Sequence, residues 1–153
     1  QSFVLTNGDN ADYSIQAKTY HGIRVYLSTG RGSWRESYFA PMHGATQVQL
    51  LDVDSDDRMD IVASAFFPAN REQSVMIYRS TSDDGSDYKP YGLSHAGKGS
   101  WMTMTQGDID QDGDIDLVIA NNDLAPATLP TIKQLVNSEV SSFLLLLNPA
   151  TSD

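Results

Sequence analysis

The chain has 153 residues, 40% of them hydrophobic, and a formal net charge of −10 from twenty acidic and ten basic residues. Its longest apolar run, residues 143–147, is strand-sized, so one ordinary core fits the composition while general disorder and a membrane-spanning helix do not. The absence of cysteine excludes a disulfide scaffold, and the acidic balance argues against nucleic-acid binding, which needs a basic face.

Residues 2–8 read as a strand, and a turn-rich stretch over 7–18 leads to a second strand at 23–27, where apolar and polar positions alternate as on a half-buried surface. A hairpin turn at 28–33 precedes a strand over 34–39. Residues 46–51 form the next strand and run into an acidic stretch, Asp52-Val53-Asp54-Ser55-Asp56-Asp57-Arg58-Met59-Asp60, which is followed at once by the apolar segment 61–67. Strands at 75–79 and 88–93 flank a turn over 80–86. The pattern then begins again: a strand at 101–106 enters Asp108-Ile109-Asp110-Gln111-Asp112-Gly113-Asp114-Ile115-Asp116 and a strand follows at 117–120. Behind Pro130 and Thr131, the residues Ile132, Leu135 and Val136 fall at helical spacing, predicting a short helix inside an insertion over 123–138. The last strand is 143–147, and 148–153 is a turn.

The two acidic stretches are copies 56 residues apart, with carboxylates at positions one, three, five and nine: Asp52, Asp54, Asp56 and Asp60, then Asp108, Asp110, Asp112 and Asp116. Calcium takes six to eight oxygen ligands, and alternate side chains of a tightly curled loop converge on one point. Position seven, Arg58 or Asp114, would add its backbone carbonyl. Gly113 at position six suits the left-handed turn that closes the loop, and Asp57, in the same place in the first copy, tolerates that conformation less well. The first site is therefore expected to be slightly strained and the weaker of two Ca2+ sites. Ordinary solvated acidic turns are the alternative for a single such stretch; two in register favour metal. Magnesium is disfavoured because so many protein oxygens leave little room for its waters. Ten of the twenty acidic residues lie in these loops, so two bound calcium ions would bring the formal charge to −6. An EF-hand needs a bidentate acid at position twelve and a helix on either side, whereas this chain has Ala63 or Ile119 there and a strand following. A thrombospondin-type array depends on disulfides, which this chain cannot form.

The loop-then-strand repeat resembles the FG-GAP or VCBS repeat family, and Pro41, Gly44 and Ala45 ahead of the first loop match that family's Pro then Gly-Ala signature; residues 97–101 ahead of the second depart from it. The resemblance implies an all-β fold, a partial β-propeller of about two and a half four-stranded antiparallel blades with calcium loops between strands one and two. Residues 1–39 would be a partial blade holding strands two to four, 40–93 a complete blade, and 94–153 a nearly complete blade carrying the 123–138 insertion. Because the chain opens at a second strand, it is expected to be a segment of something larger. Further blades, from the same longer chain or from another, are the expected partners. The family also implies an exported protein, extracellular, periplasmic or on the cell surface, and weak calcium sites fill only where calcium is abundant.

Catalytic candidates are few. His43 and His95 sit in linkers before first strands and His21 precedes a third strand; acid–base work is the sharper reading and a loop histidine bonded to backbone the plainer one. No nucleophile elbow, phosphate-cradling glycine loop or zinc spacing appears. The aromatics Trp34, Tyr38, Phe39, Tyr88, Tyr91 and Trp101 are expected to pack between blades, with sugar or protein contact as the alternative. The expectation is a non-catalytic binding or scaffolding module that recognises a protein or glycan. The alternative is an accessory or catalytic portion of a secreted polysaccharide-active or other large exported enzyme.

Overall fold

The computed structural model describes residues 1–8, 18–93, 96, 97, 99–121 and 143–148. The helix expected within 123–138, the closing turn at 149–153 and His95 lie outside the described residues. Among the described residues ten strands follow in order: β1 (Ser2–Asn7), β2 (Gly22–Gly30), β3 (Ser33–Pro41), β4 (Ala45–Leu51), β5 (Asp60–Ala65), β6 (Val75–Ser80), β7 (Tyr88–Gly92), β8 (Trp101–Gly107), β9 (Asp116–Asn121) and β10 (Phe143–Leu146). They form three antiparallel meanders: an N-terminal sheet β1-β2-β3, a central sheet β4-β5-β6-β7 and a C-terminal sheet β10-β9-β8. A 3-10 turn, Arg71–Gln73, interrupts the β5–β6 connection, and the Asn70 side chain caps it by accepting from the Glu72 N–H.

The alternation of side chains along β5 explains how the sheets are held together. All six of its residues are buried. Because successive side chains point to opposite faces, Ile61, Ala63 and Ala65 enter a core shared with Ile23, Val25, Ala40 and Tyr78, while Val62 enters a second core with Leu51, Val75, Trp101, Leu117 and Ile119. The central sheet is thus covered on both faces, which is why β5 and the residues after it read as a nearly unbroken apolar run rather than as a strict alternation.

The first strands of the central and C-terminal sheets are joined by side chains rather than by a ladder. Thr46 Oγ1 donates to the Trp101 carbonyl at 3.1 Å, Gln49 Nε2 donates to the Met104 carbonyl at 3.3 Å, and Gln47 Oε1 accepts from the Met104 N–H. On the other side, Thr6 Oγ1 donates to the Thr46 carbonyl at 3.3 Å. Gly44, in the linker that turns from β3 into β4, has φ 72°, and a Cβ there would stand 2.5 Å from the Phe67 carbonyl oxygen. Any side chain would push the linker off the central sheet.

The aromatics divide between two settings. Tyr38 and Tyr88 meet across the N-terminal and central sheets with ring centroids 5.0 Å apart, and Trp101 is buried with its indole N–H donating to the Ala96 carbonyl at 2.7 Å. Trp34 and Tyr91 are exposed instead: Trp34 packs edge-on against Phe3 of its own sheet, and Tyr91 lies under Arg79 and Lys89.

Candidate metal centres

Each acidic stretch connects two antiparallel neighbours, β4 to β5 and β8 to β9, so the ladder itself fixes where the last carboxylate stands. Asp60 pairs with Leu51 and Asp116 with Gly107 at the first rung beyond each loop. Both carboxylates are fully buried. The Val53 N–H donates to Asp60 Oδ2 at 3.1 Å and the Ser80 N–H to Oδ1 at 2.7 Å. Ile109 and Asn148 do the same for Asp116, at 2.8 and 2.9 Å. One residue therefore ties the start of its loop to the end of the strand two places along in the sheet, β6 or β10.

The rest of each loop curls around its first carboxylate. Asp52 accepts the N–H groups of Asp54, Asp56 and Asp57 at 3.3, 3.1 and 2.8 Å, and Asp108 accepts that of Gly113 at 3.2 Å. The curl needs left-handed residues at positions four and six in both copies: Ser55 (φ 57°) and Asp57 (66°), Gln111 (65°) and Gly113 (99°). Three of these four are not glycine, so the backbone strain expected at Asp57 alone is present in both loops.

This curl brings Asp52, Asp54 and Asp60 together, and likewise Asp108, Asp110 and Asp116, with one carboxylate oxygen of each lying within 4.8 Å of the others. Either triad could hold a metal ion. These are positions one, three and nine; position five, Asp56 or Asp112, stands outside both groups. The donors are oxygen only, which suits a hard cation. Asp54 Oδ1 is buried without a hydrogen-bond partner, the kind of costly orphan that a bound cation would satisfy.

The two copies differ in their charge. Arg58 at position seven turns its guanidinium onto Asp56 and donates Nε–H to the Ser80 carbonyl at 3.2 Å, and Arg79 of β6 pairs with Asp54. The side chain at position seven of the first copy thus makes contacts of its own, to Asp56 and Ser80. The matching residues of the second copy are Asp114 and Leu147, so the first loop carries internal counter-charge at two places where the second has none.

The carboxyl groups respond accordingly. Burial pushes Asp60 above the ordinary carboxylate range, against the pull of the Ser80 and Val53 N–H groups, and the charges of Asp56 and Asp52 add to the rise. Asp116 goes the other way, because the N–H groups of Ile109 and Asn148 outweigh burial there. Asp110 is raised, first by burial and then by the charges of Asp112 and Asp116.

Ser80, Asn148 and Arg79 were not singled out in the sequence. Ser80 closes β6 and Asn148 comes two residues after β10, so alignment of the two strands carries the signal. Of the histidines, His21 is buried and its Nδ1 lies 3.1 Å from His43 Nδ1 with the rings stacked 5.1 Å apart. The His43 ring thus meets another imidazole at the seam between the N-terminal and central sheets. Comparison with protein-family models, curated proteins and solved structures finds no match for this chain.

Proposed function

We propose that each acidic loop binds one calcium ion and that the chain is a calcium-stabilised propeller segment of FG-GAP or VCBS type, a non-catalytic binding or scaffolding module of an exported protein. The observation that carries this reading is the duplicated placement of Asp60 and Asp116. Each is buried, accepts two backbone N–H groups and converges with the carboxylates at positions one and three of its own loop. The three-sheet stack with a doubly covered central sheet also supports it, since neighbouring propeller blades cover each other in this way.

In this reading, Asp52, Asp54 and Asp60 hold one ion and Asp108, Asp110 and Asp116 the other. Asp56 and Asp112, and the carbonyls of Arg58 and Asp114, are further oxygens on the same loops. Calcium supplies charge neutralisation: it makes a strained, carboxylate-dense hairpin the favoured conformation and so holds β4 to β5 and β8 to β9 in register. Loops of the stack are then free to contact a protein or glycan, and further blades cover the outer sheets.

Thermal unfolding in chelator, in calcium and in magnesium tests this. A site with Kd of about 10⁻⁴ M in about 1 mM calcium contributes about 1.4 kcal/mol. Two sites should raise Tm by several degrees, with little effect of magnesium. An identical Tm in chelator and calcium would refute the metal reading.

A further inference from the structure

We infer that Asn148 couples the two acidic loops, so that an ion held by the second raises the affinity of the first; this rests on the metal reading above and adds communication between its sites. Asn148 has a contact in each loop. Its backbone N–H donates to Asp116 Oδ1 at 2.9 Å, and its side-chain Nδ2 donates to the Asp52 carbonyl at 3.0 Å, across 96 positions of sequence. Asp116 is position nine of the second loop and Asp52 position one of the first, and both belong to the carboxylate triads. Asn148 also lines the groove between the loops, with Asp52 and Asp57 on one wall and Gly113 and Asp114 on the other.

The corresponding residue of the first copy shows what is particular here. Ser80 makes the same backbone contact to Asp60 at 2.7 Å, but its hydroxyl donates to the Ser82 carbonyl at 3.0 Å, inside its own turn. One anchor ends locally; the other reaches the neighbouring sheet.

At the first loop, Arg58 and Arg79 pair with Asp56 and Asp54 and so oppose entry of an ion, which makes any help from the other loop count there. An ion on Asp116 fixes the backbone at Asn148, which fixes the origin of the amide that holds the Asp52 peptide. Asp52 is then ordered before the first loop fills, and the ordering entropy that the ion of the first loop must overcome is smaller. Repulsion between the two ions opposes this, but each enters a site of net negative charge, which offsets part of it.

Calcium calorimetry on a four-protein cycle tests the coupling: the unaltered chain, Asp110→Ala to disable the second site, Asn148→Ala, and the double variant. The first-site Kd should be about tenfold weaker in Asp110→Ala than in the unaltered chain. The same comparison should show no difference when Asn148 is also replaced. Asn148→Ser, which keeps the backbone anchor and installs the residue of the first copy, should behave like Asn148→Ala and serves if the alanine variant does not fold. Equal first-site affinity with and without the second site overturns the coupling while leaving the metal reading intact, and so does a difference that persists undiminished in Asn148→Ser. No calcium heat in the unaltered chain overturns both.

Discussion

Arg79 of β6 pairs with Asp54 at position three of the first acidic loop, and the second loop has Leu147 in the matching place. A guanidinium on a candidate ligand is a tethered competitor: any cation entering the first triad must displace it or share the carboxylate. The Arg79 side chain is 43% exposed, so the pair is worth only about 0.2–1 kcal/mol after solvent screening. Arg79→Leu, which installs the residue of the second copy, should therefore tighten calcium binding at the first loop by about 1.4- to 5-fold. Calorimetry in an Asp110→Ala background, where only the first site reports, measures this. Unchanged or weaker binding would show that Arg79 does not compete.

The cores and the loops should answer differently to calcium. Ile61 is fully buried in the core shared by the N-terminal and central sheets, and Ile→Ala at such a site typically costs about 2–5 kcal/mol through lost transfer energy and the cavity left behind. That loss should be the same in chelator and in calcium. Asp110→Ala should lower Tm by a few degrees in millimolar calcium and leave the chelated protein nearly unchanged, because the residue acts through an ion. Paired thermal melts of the two variants separate packing from coordination, and equal losses for Asp110→Ala in both conditions would remove the case for its role as a ligand.

The strands were legible because both periodicity and repetition speak for them. β5 shows as an apolar run after Asp60, and its copy β9 shows as another after Asp116. Spacing pointed to carboxylates at positions one, three, five and nine, and the curl gathers those at one, three and nine. What the spacing could not tell was that positions three and five of the first loop meet Arg79 and Arg58, because Arg79 comes from a strand 25 residues downstream and only the fold brings it back. Nor could it separate Tyr88 and Trp101, which the sheets bury, from Trp34 and Tyr91, which they leave exposed. That division depends on which face of each sheet meets a neighbour, and strand alternation alone does not name the face. Asn148 was hidden for a related reason: a lone asparagine after a strand is an ordinary turn residue until its amide is seen on Asp52, in the adjacent sheet.

The two position-nine carboxylates should titrate on opposite sides of the ordinary value in the metal-free protein. Burial lifts Asp60 against its N–H donors, and the charges of Asp56 and Asp52 add to the rise; at Asp116 the N–H groups of Ile109 and Asn148, at 2.8 and 2.9 Å, outweigh burial and hold it down. The stability consequences have opposite signs. An acid held low in the folded state contributes stability that is present above its unfolded pKa and lost as pH falls through the lower folded value, so Asp116 helps hold the fold at neutral pH. An acid raised in the folded state is a cost that appears as pH rises from its unfolded to its folded value, so the first loop of the chelated protein is destabilised by ionisation of Asp60 and relieved by acid. Carboxyl-carbon NMR titration in chelator should place the Asp60 midpoint above the ordinary carboxylate range and that of Asp116 below it. Asp60→Asn, which removes the charge and keeps an acceptor for Ser80 or Val53, should raise the stability of the chelated protein at pH 7 while abolishing calcium binding at the first loop. Asp116→Asn should lower stability in chelator as well. Coincident midpoints for the two aspartates would mean that enclosure and hydrogen bonding do not differ between the loops.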